Sequence, residues 1–298
     1  MMDPAMEIRT LRNFAAVVRA GNVTRAAATL HVSQPALSMQ LRELEEELGG
    51  PLLVRHARGV EPTERGSMLL QRADDIVALA DRTRDDLRAA GAAGLTGTLA
   101  IGAGETLAFE TLGRAVAGLL AENPRLKLSI TSGNGEQIDD GIRSGIFDLA
   151  LFVGPGRVEG YDYLVLPYIH RWGIYARRGE PLAAKKGIRP RDLEGVPLSV
   201  SRQAGVAEFL SGWLGRDFHT LEIAATYNLV YNALVLVAAG QGAAVSIDGL
   251  LPAAFADTLV FRPFRPLLKS DVYLAWRKGT PLAPAAAALV ARLRAATA

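Results

Sequence analysis

The sequence predicts an α/β protein in three consecutive parts: a mostly helical head, one long helix, and a larger body of two lobes. Three observations carry that expectation. Residues 1–66 hold short amphipathic helical patterns followed by a glycine-bounded pair of extended segments. Residues 67–93 begin with a glycine-free run from about Ser67 to Ala90 that repeats at heptad-like spacing. Residues 94–298 switch to short apolar runs alternating with helical patterns, the signature of strand and helix in turn. A chain of 298 residues with 49% hydrophobic content suits two or three domains with real cores.

The head comes first. Glu7 to Asn22 is an amphipathic helix with Leu11, Phe14, Ala15 and Val18 on one side. Thr24 is read as the N-cap of a short helix, Arg25 to Leu30, and His31 and Val32 as a tight turn. Ser33 caps the next helix, with Pro35 in its first turn, where a missing N–H costs nothing. Leu37, Leu41, Leu44 and Leu48 then form one apolar stripe. Alanines on the first helix let the second cross it closely, as a helix-turn-helix requires. Away from the leucines lie Pro35, Ser38, Met39 and Arg42, with Gln34 at the tip and Thr24 and Arg25 nearby. These residues and Ser33 are candidates to meet base edges and phosphates of double-stranded DNA. Gly49 to Gly66 has the shape of a two-stranded wing closed by Pro62, whose Arg55 and Arg58 are candidates for phosphate contact.

Charge supports this through its distribution. Net charge is +2, and residues 1–66 carry eight Arg against eight acids. Arg9 to Arg42, however, contains five Arg and no acid. A solvated surface of mixed charge accounts equally well for the charge pattern taken alone.

Thr63 is expected to cap the long helix. Leu69, Ala73, Ile76, Ala80, Thr83 and Leu87 recur along it at spacings of four and three. A single helix cannot bury such a seam, so the expectation is a homodimer through this helix, against packing on its own domain.

In the body, strands are expected at Thr98–Ile101, Leu126–Thr131, Asp148–Val153, Trp172–Ala176, Pro197–Val200, Leu221–Ala225, Ala243–Ile247 and Asp271–Trp276. Helices are expected at Leu107–Glu122, Gln137–Ser144, Val206–Leu214, Tyr227–Ala239 and Pro284–Ala296. The layout reads as parallel α/β. The chain is expected to enter a second lobe near Leu166-Pro167, giving lobe I at about 94–166 and 267–298 and lobe II at about 167–266. Ligands in such sheets sit beyond the C-terminal ends of strands. Small polar groups follow those ends: Gly104, Glu105 and Thr106; Ser132, Gly133 and Asn134; Ser201, Arg202 and Gln203; Thr226; Ser246 and Asp248. They outline a cleft for a small molecule, a carboxylate or an amino acid-like metabolite, although any one of them also reads as a helix cap or turn. Glu105 and Asp248 would repel an acid, which leaves an amino-bearing or neutral molecule open.

Enzyme chemistry finds little support. The histidines, His31, His56, His170 and His219, lie far apart without ligand-spaced neighbours, so no metal is expected. There is no G-x-S-x-G elbow. Gly102-Ala103-Gly104 follows a strand, but Leu107 stands where a dinucleotide loop needs its third glycine, so no cofactor is expected. Asp139-Asp140 reads as an exposed helix start. The chain has no cysteine, which fits a reducing cytoplasm. The first residues lack a signal-peptide pattern, and the most apolar stretch, Ala233 to Ala239, is too short to span a bilayer, so no membrane partner is expected.

AAATLHVSQPALS, LRELEEELG, LLVR and PTERG near the N-terminus, with NPRLKLSITSGN, GIFDLALFVG and LVLVAAGQGAAV further on, resemble the LysR-type transcriptional regulators over the whole length. The chain departs from the usual pattern at Met39, Leu53 and Ser246-Ile247-Asp248. The resemblance implies a winged helix-turn-helix DNA-binding domain at 1–66, a linker helix at 67–93, and an effector domain at 94–298 resembling type 2 periplasmic binding proteins. It implies effector contacts near Thr106, Ser201 and Ser246, and a homotetramer formed when effector domains also pair. The expected function is therefore a sequence-specific, effector-modulated regulator acting on promoter DNA. The alternatives are a small-molecule binding protein or enzyme with an appended helical interaction domain, and a DNA-compacting protein without sequence preference.

Overall fold

The computed structural model describes residues 6–56, 59–89, 94–154 and 160–297. It divides into two units, Met1–Arg88 and Ala89–Ala298.

The first unit contains α1 (Ile8–Ala20), α2 (Val23–Leu30), α3 (Gln34–Glu47), the antiparallel pair β1 (Leu53–His56) and β2 (Gly59–Pro62), and α4 (Glu64–Ala89). The cap of α2 is Asn22, whose side chain accepts from Arg25 N, and not Thr24. Asn22 has the extended backbone a cap needs, whereas Thr24 already lies inside the helix and is exposed. Ser33 caps α3 as expected, accepting from Ala36 N. Leu37, Leu41 and Leu44 are fully buried against Phe14, Val17, Ala26 and Ala27. Each such leucine is worth about 1.5–3 kcal/mol of burial. Two bonds from the main chain at Leu52 and Leu53 to Glu45 Oε1, at 2.8 and 3.0 Å, hold the base of the wing to α3.

Thr63 caps α4, accepting from Gly66 N, and the helix begins at Glu64, one turn earlier than expected. Its seam also differs from expectation. Ala73 is fully buried and Leu69 packs on the head's own core, while Arg12 and Arg19 of α1 pair with Asp81 and Asp74. These exposed pairs are worth only about 0–1 kcal/mol each, but they take two of the five clustered arginines away from DNA. Among the described residues, the large apolar side chains left exposed along α4 are Met68, Ile76, Leu79 and Leu87.

The second unit is built on strands β3 (Gly97–Ala103), β4 (Leu126–Ser132), β5 (Leu149–Val153), β6 (Tyr161–Arg177), β7 (Leu198–Ser201), β8 (Ile223–Tyr227), β9 (Ala243–Ile247), β10 (Leu259–Pro263) and β11 (Lys269–Arg277). Its helices are α5 (Phe109–Glu122), α6 (Gly135–Arg143), α7 (Val206–Leu214), α8 (Tyr231–Ala238) and α9 (Pro284–Thr297). The strand order is β4-β3-β5-β11-β6-β9-β7-β8, with β10 also on β6. The β3, β4, β5 set and the β7, β8, β9 set are parallel, but β11 and β6 run antiparallel to their neighbours, so the sheet is mixed.

The chain passes from one lobe toward the other within a single strand, since β6 runs unbroken through Leu166-Pro167. Its pairing with β11 shifts register there, with Asp271 opposite Ile169 and Val272 opposite Leu166. Pro167 therefore sits in a bulge, where its missing N–H breaks no ladder bond. Residues Tyr161 to Arg171 pair with β11, and Trp172 to Ala176 pair with β9. His170 and Arg171 thus stand at the crossover. One core lies under α5 and α9, around Leu99, Ile101, Leu112, Leu149 and Leu289. Another lies under α7, around Ile174, Leu198, Leu210 and Val245.

Gly102 faces Phe147 so closely that a Cβ would fall 2.4 Å from the ring, and Gly141 meets the same ring from α6 at 2.1 Å. The glycine at the end of the first body strand is thereby explained by packing. Asp139 is likewise structural, bridging Arg143 and the Tyr161 hydroxyl.

Candidate functional sites: a helix-turn-helix surface and an interlobe pocket

On α3, Gln34, Pro35, Met39 and Arg42 are exposed, Met39 at 58%. Arg42 makes no ion pair with Glu46 or with any other described residue, so its guanidinium is open to a partner. Ser38 departs from the expected open face: it is 8% exposed and its hydroxyl accepts from Gln34 Nε2 at 2.8 Å. The cause is angular, since Ser38 stands three residues before Leu41 and so lies at the edge of the buried leucine stripe. Asn13 donates to Gln40 at 2.8 Å and ties α3 to α1. Thr24, Arg25 and Ser33 are exposed around the turn, and Arg55 is exposed on β1. Arg58 lies outside the described residues.

In the second unit, a pocket of about 350 Å³ opens between the lobes. Gly104, Glu105 and Thr106 line it from the end of β3, Ile130 and Ser132 from β4, and Val230, Tyr231 and Leu250 from the facing lobe. Its size falls within the ~300–1,000 Å³ range of small-molecule sites. A larger and more polar hollow of about 500 Å³, beside Asp162, Trp276 and Arg294, lies away from these strand ends and from the facing lobe.

The remaining candidates fall elsewhere. Asn134 is buried and forms a capping box with Gln137 at the start of α6. Ser201 Oγ accepts from Gln203 N, Arg202 and Thr226 are exposed, and Ser246 is buried on β9. Gln203 reaches across the cleft, its Oε1 lying 3.1 Å from where a Cβ on Gly135 would stand. None of these lines the pocket. Phe109, Val230, Tyr231 and Leu250 do line it, and sequence patterning had no signal for them, because apolar residues at helix starts, and a leucine in the loop after β9, look like core.

Beneath Thr106 lies a buried polar chain. Thr106 Oγ1 is 2.5 Å from His170 Nε2, and His170 Nδ1 is 3.0 Å from Asp248 Oδ1. Arg171 donates to Asp248 from its main-chain N–H at 3.1 Å and from Nε at 2.7 Å. His170 is fully buried, and desolvation holds its pKa below the usual histidine value despite the carboxylate beside it. Asp248 is held below the usual carboxylate range by bonds from Arg171 and His170, which outweigh an opposing burial effect. Its charge is therefore compensated, which corrects the expectation that it repels an acid in the cleft. Of that expected repulsion, Glu105 alone remains.

A helix-turn-helix head with an exposed arginine on α3, and a body with a ligand-sized hollow between α/β lobes, together define a DNA-binding ligand sensor. Residues 8–67 match the family described as bacterial regulatory helix-turn-helix protein, lysR family, and residues 92–298 match the LysR substrate binding domain. The chain belongs to the LysR family. It is a transcriptional regulator with a DNA-binding helix-turn-helix and an effector-binding domain, and not an enzyme. It is 31% identical to the Hca operon transcriptional activator HcaR of Escherichia coli (strain K12), over 92% of this chain and 93% of that protein. It is 28% identical to the HTH-type transcriptional regulator GbpR of Azospirillum brasilense, over 98% and 87%. The solved structure of full-length CbnR complexed with its target DNA matches with a TM-score of 0.70 at 26% identity, covering 97% of this chain and 99% of that one. Among the described residues, no helix is long and apolar enough to cross a membrane.

Proposed function

We propose that this regulator reads a promoter operator through the exposed face of α3 and answers a small effector held in the interlobe pocket. The observation that carries the first half is Arg42, exposed and without an ion pair among the described residues, on a helix locked to the head by Leu37, Leu41 and Leu44. Gln34, Met39 and Arg42 reach base edges. Thr24, Arg25, Ser33, Pro35, Arg55 and Arg58 fix the position on the backbone, and Ser38 acts by holding Gln34. Residues 1–66 serve as the DNA-binding domain, 67–93 as the dimerising linker and 94–298 as the effector domain. A homodimer through α4 presents two heads to two half-sites, further pairing of effector domains makes a tetramer, and the protein works in the cytoplasm. Arg42→Ala is expected to cost about 1–3 kcal/mol of specific binding while leaving the fold intact. A gel-shift titration of operator against scrambled DNA at fixed salt measures it, and unchanged operator affinity removes Arg42 from the interface.

The pocket supports the second half. Gly104, Glu105 and Thr106 contact the effector directly. Asn134, Ser201, Arg202, Gln203, Thr226 and Ser246 border the cleft and follow its closure. An effector shifts the DNA-bound arrangement only by binding one arrangement more tightly than another. Thr106→Val keeps the side-chain shape and removes the hydroxyl, so it is expected to weaken the effector response and spare DNA binding. Footprinting on the target promoter with a metabolite panel tests this. A variant that responds like the parent reduces Thr106 to a helix-start residue.

A further inference from the structure

Four groups joined in series fix where each proton lies at the floor of the pocket. Asp248 takes two bonds from Arg171 and one from His170, and an ionised carboxylate can only accept. His170 Nδ1 therefore carries a hydrogen. A neutral imidazole has one N–H, and His170 is fully buried, so its Nε2 is the bare acceptor. The only proton that can fill the 2.5 Å contact between Nε2 and Thr106 is the threonine's own. The same oxygen already accepts from Ala108 N at 3.0 Å. A hydroxyl has one hydrogen and two lone pairs, so Thr106 keeps one lone pair and nothing to donate.

The other polar groups on the wall agree. Glu105 only accepts, and the Ser132 and Tyr231 hydroxyls can turn either way. No lysine, arginine or histidine lines the pocket among the described residues. Ile130, Val230 and Leu250 supply an apolar surround. We infer that His170, held by Asp248 and Arg171, sets Thr106 as a hydrogen-bond acceptor, so that the pocket takes an apolar molecule bearing a donor, an amine above all, in preference to a carboxylate. The inference rests on the pocket being the effector site. His170 is a positioning residue and does not itself touch the ligand. Because His170 sits where β6 leaves β11 for β9, a ligand that loads Thr106 also loads the strand joining the lobes.

Two measurements on the full-length protein test it. In the first, histidine ring ¹⁵N shifts report which nitrogen of His170 is protonated; with four histidines in the chain, its signals are those lost in His170→Gln. The expected result is a neutral ring protonated at Nδ1. Protonation at Nε2, as the other tautomer or as imidazolium, frees the threonine proton and overturns the inference. In the second, calorimetry compares 2-phenylethylamine, 2-phenylethanol and phenylacetate, which share one apolar body. The amine is expected to bind at least about tenfold tighter than the acid. Thr106→Ser is expected to keep that preference and Thr106→Val to reduce it, a pattern that a purely structural role would not produce. Phenylacetate binding as tightly as the amine overturns the donor class while leaving the pocket as effector site. Failure of the amine to bind at roughly millimolar concentration also overturns it. The promoter footprint, read with the metabolite panel, separately decides whether the pocket is an effector site at all.

Discussion

Ile76→Asp in α4 is expected to halve the particle mass and to weaken operator binding by about 100- to 10,000-fold. Met68, Ile76, Leu79 and Leu87 are exposed along α4 in the single chain, with Ile76 at 41%. Their spacings, near whole numbers of helical turns, place them along one side of the long helix. An aspartate there leaves the head's own core of Leu37, Leu41 and Leu44 untouched but places an unpaired charge in any helix-to-helix contact. Two heads on one duplex gain from effective concentration, and losing that linkage removes the stated factor. Light scattering measures the mass, and a gel shift on a complete operator measures the affinity. The mass falls by half from either a dimer or a tetramer, since only linker contacts are cut. An unchanged mass rules out pairing through this helix.

Asp248→Ala is expected to destabilise the effector domain by about 1–3 kcal/mol, because it orphans the fully buried donor His170 Nδ1 and removes the acceptor of Arg171 N. Arg171 Nε lies on a half-exposed side chain and turns to water. The same cluster gives a pH dependence with a definite sign. Burial depresses the His170 pKa in the folded state, so between that value and the ordinary value of about 6.5 the unfolded chain binds more protons. Stability from this group is complete above about pH 6.5 and falls as pH drops toward the folded value. Asp248 is also depressed, but its contribution is lost only below about pH 4, in a separate window. The Tyr168 ring, 4.6 Å from the imidazole, is raised by burial and adds no charge in this range. Thermal melts at about pH 7.5 and about pH 5.5, either side of the ordinary histidine value, should differ in the parent, and the difference should shrink in His170→Gln. An equal drop in both proteins assigns the acid sensitivity to other groups.

The sequence by itself determined the modules and their order. The leucine stripe of α3, the Ser33 cap and the Thr63 cap are local signals, read within one or two helical turns, and the helix-turn-helix follows from them. The alternation after Gly97 likewise announced an α/β body, since helical and extended periodicities differ within a few residues. Ala243–Ile247 and Val206–Leu214 have the bounds their patterns predict, because turn residues flank both. Where a long-range contact overrides a local pattern, the sequence was silent. The lobe entry expected near Leu166-Pro167 lies inside an unbroken β6, with Pro167 in a bulge, because only the β11 register shows that its N–H is not needed. Leu69 and Ala73 belong to a heptad-like seam yet face α4's own unit, because only packing tells which of two overlapping stripes is already covered. The polar floor of the cleft is the clearest case. Thr106 and His170 stand 64 residues apart, His170 and Asp248 78 apart, and no periodicity relates them. Bringing them within hydrogen-bond distance takes a strand that crosses both lobes, and the position of each proton follows only from the burial that the tertiary structure imposes.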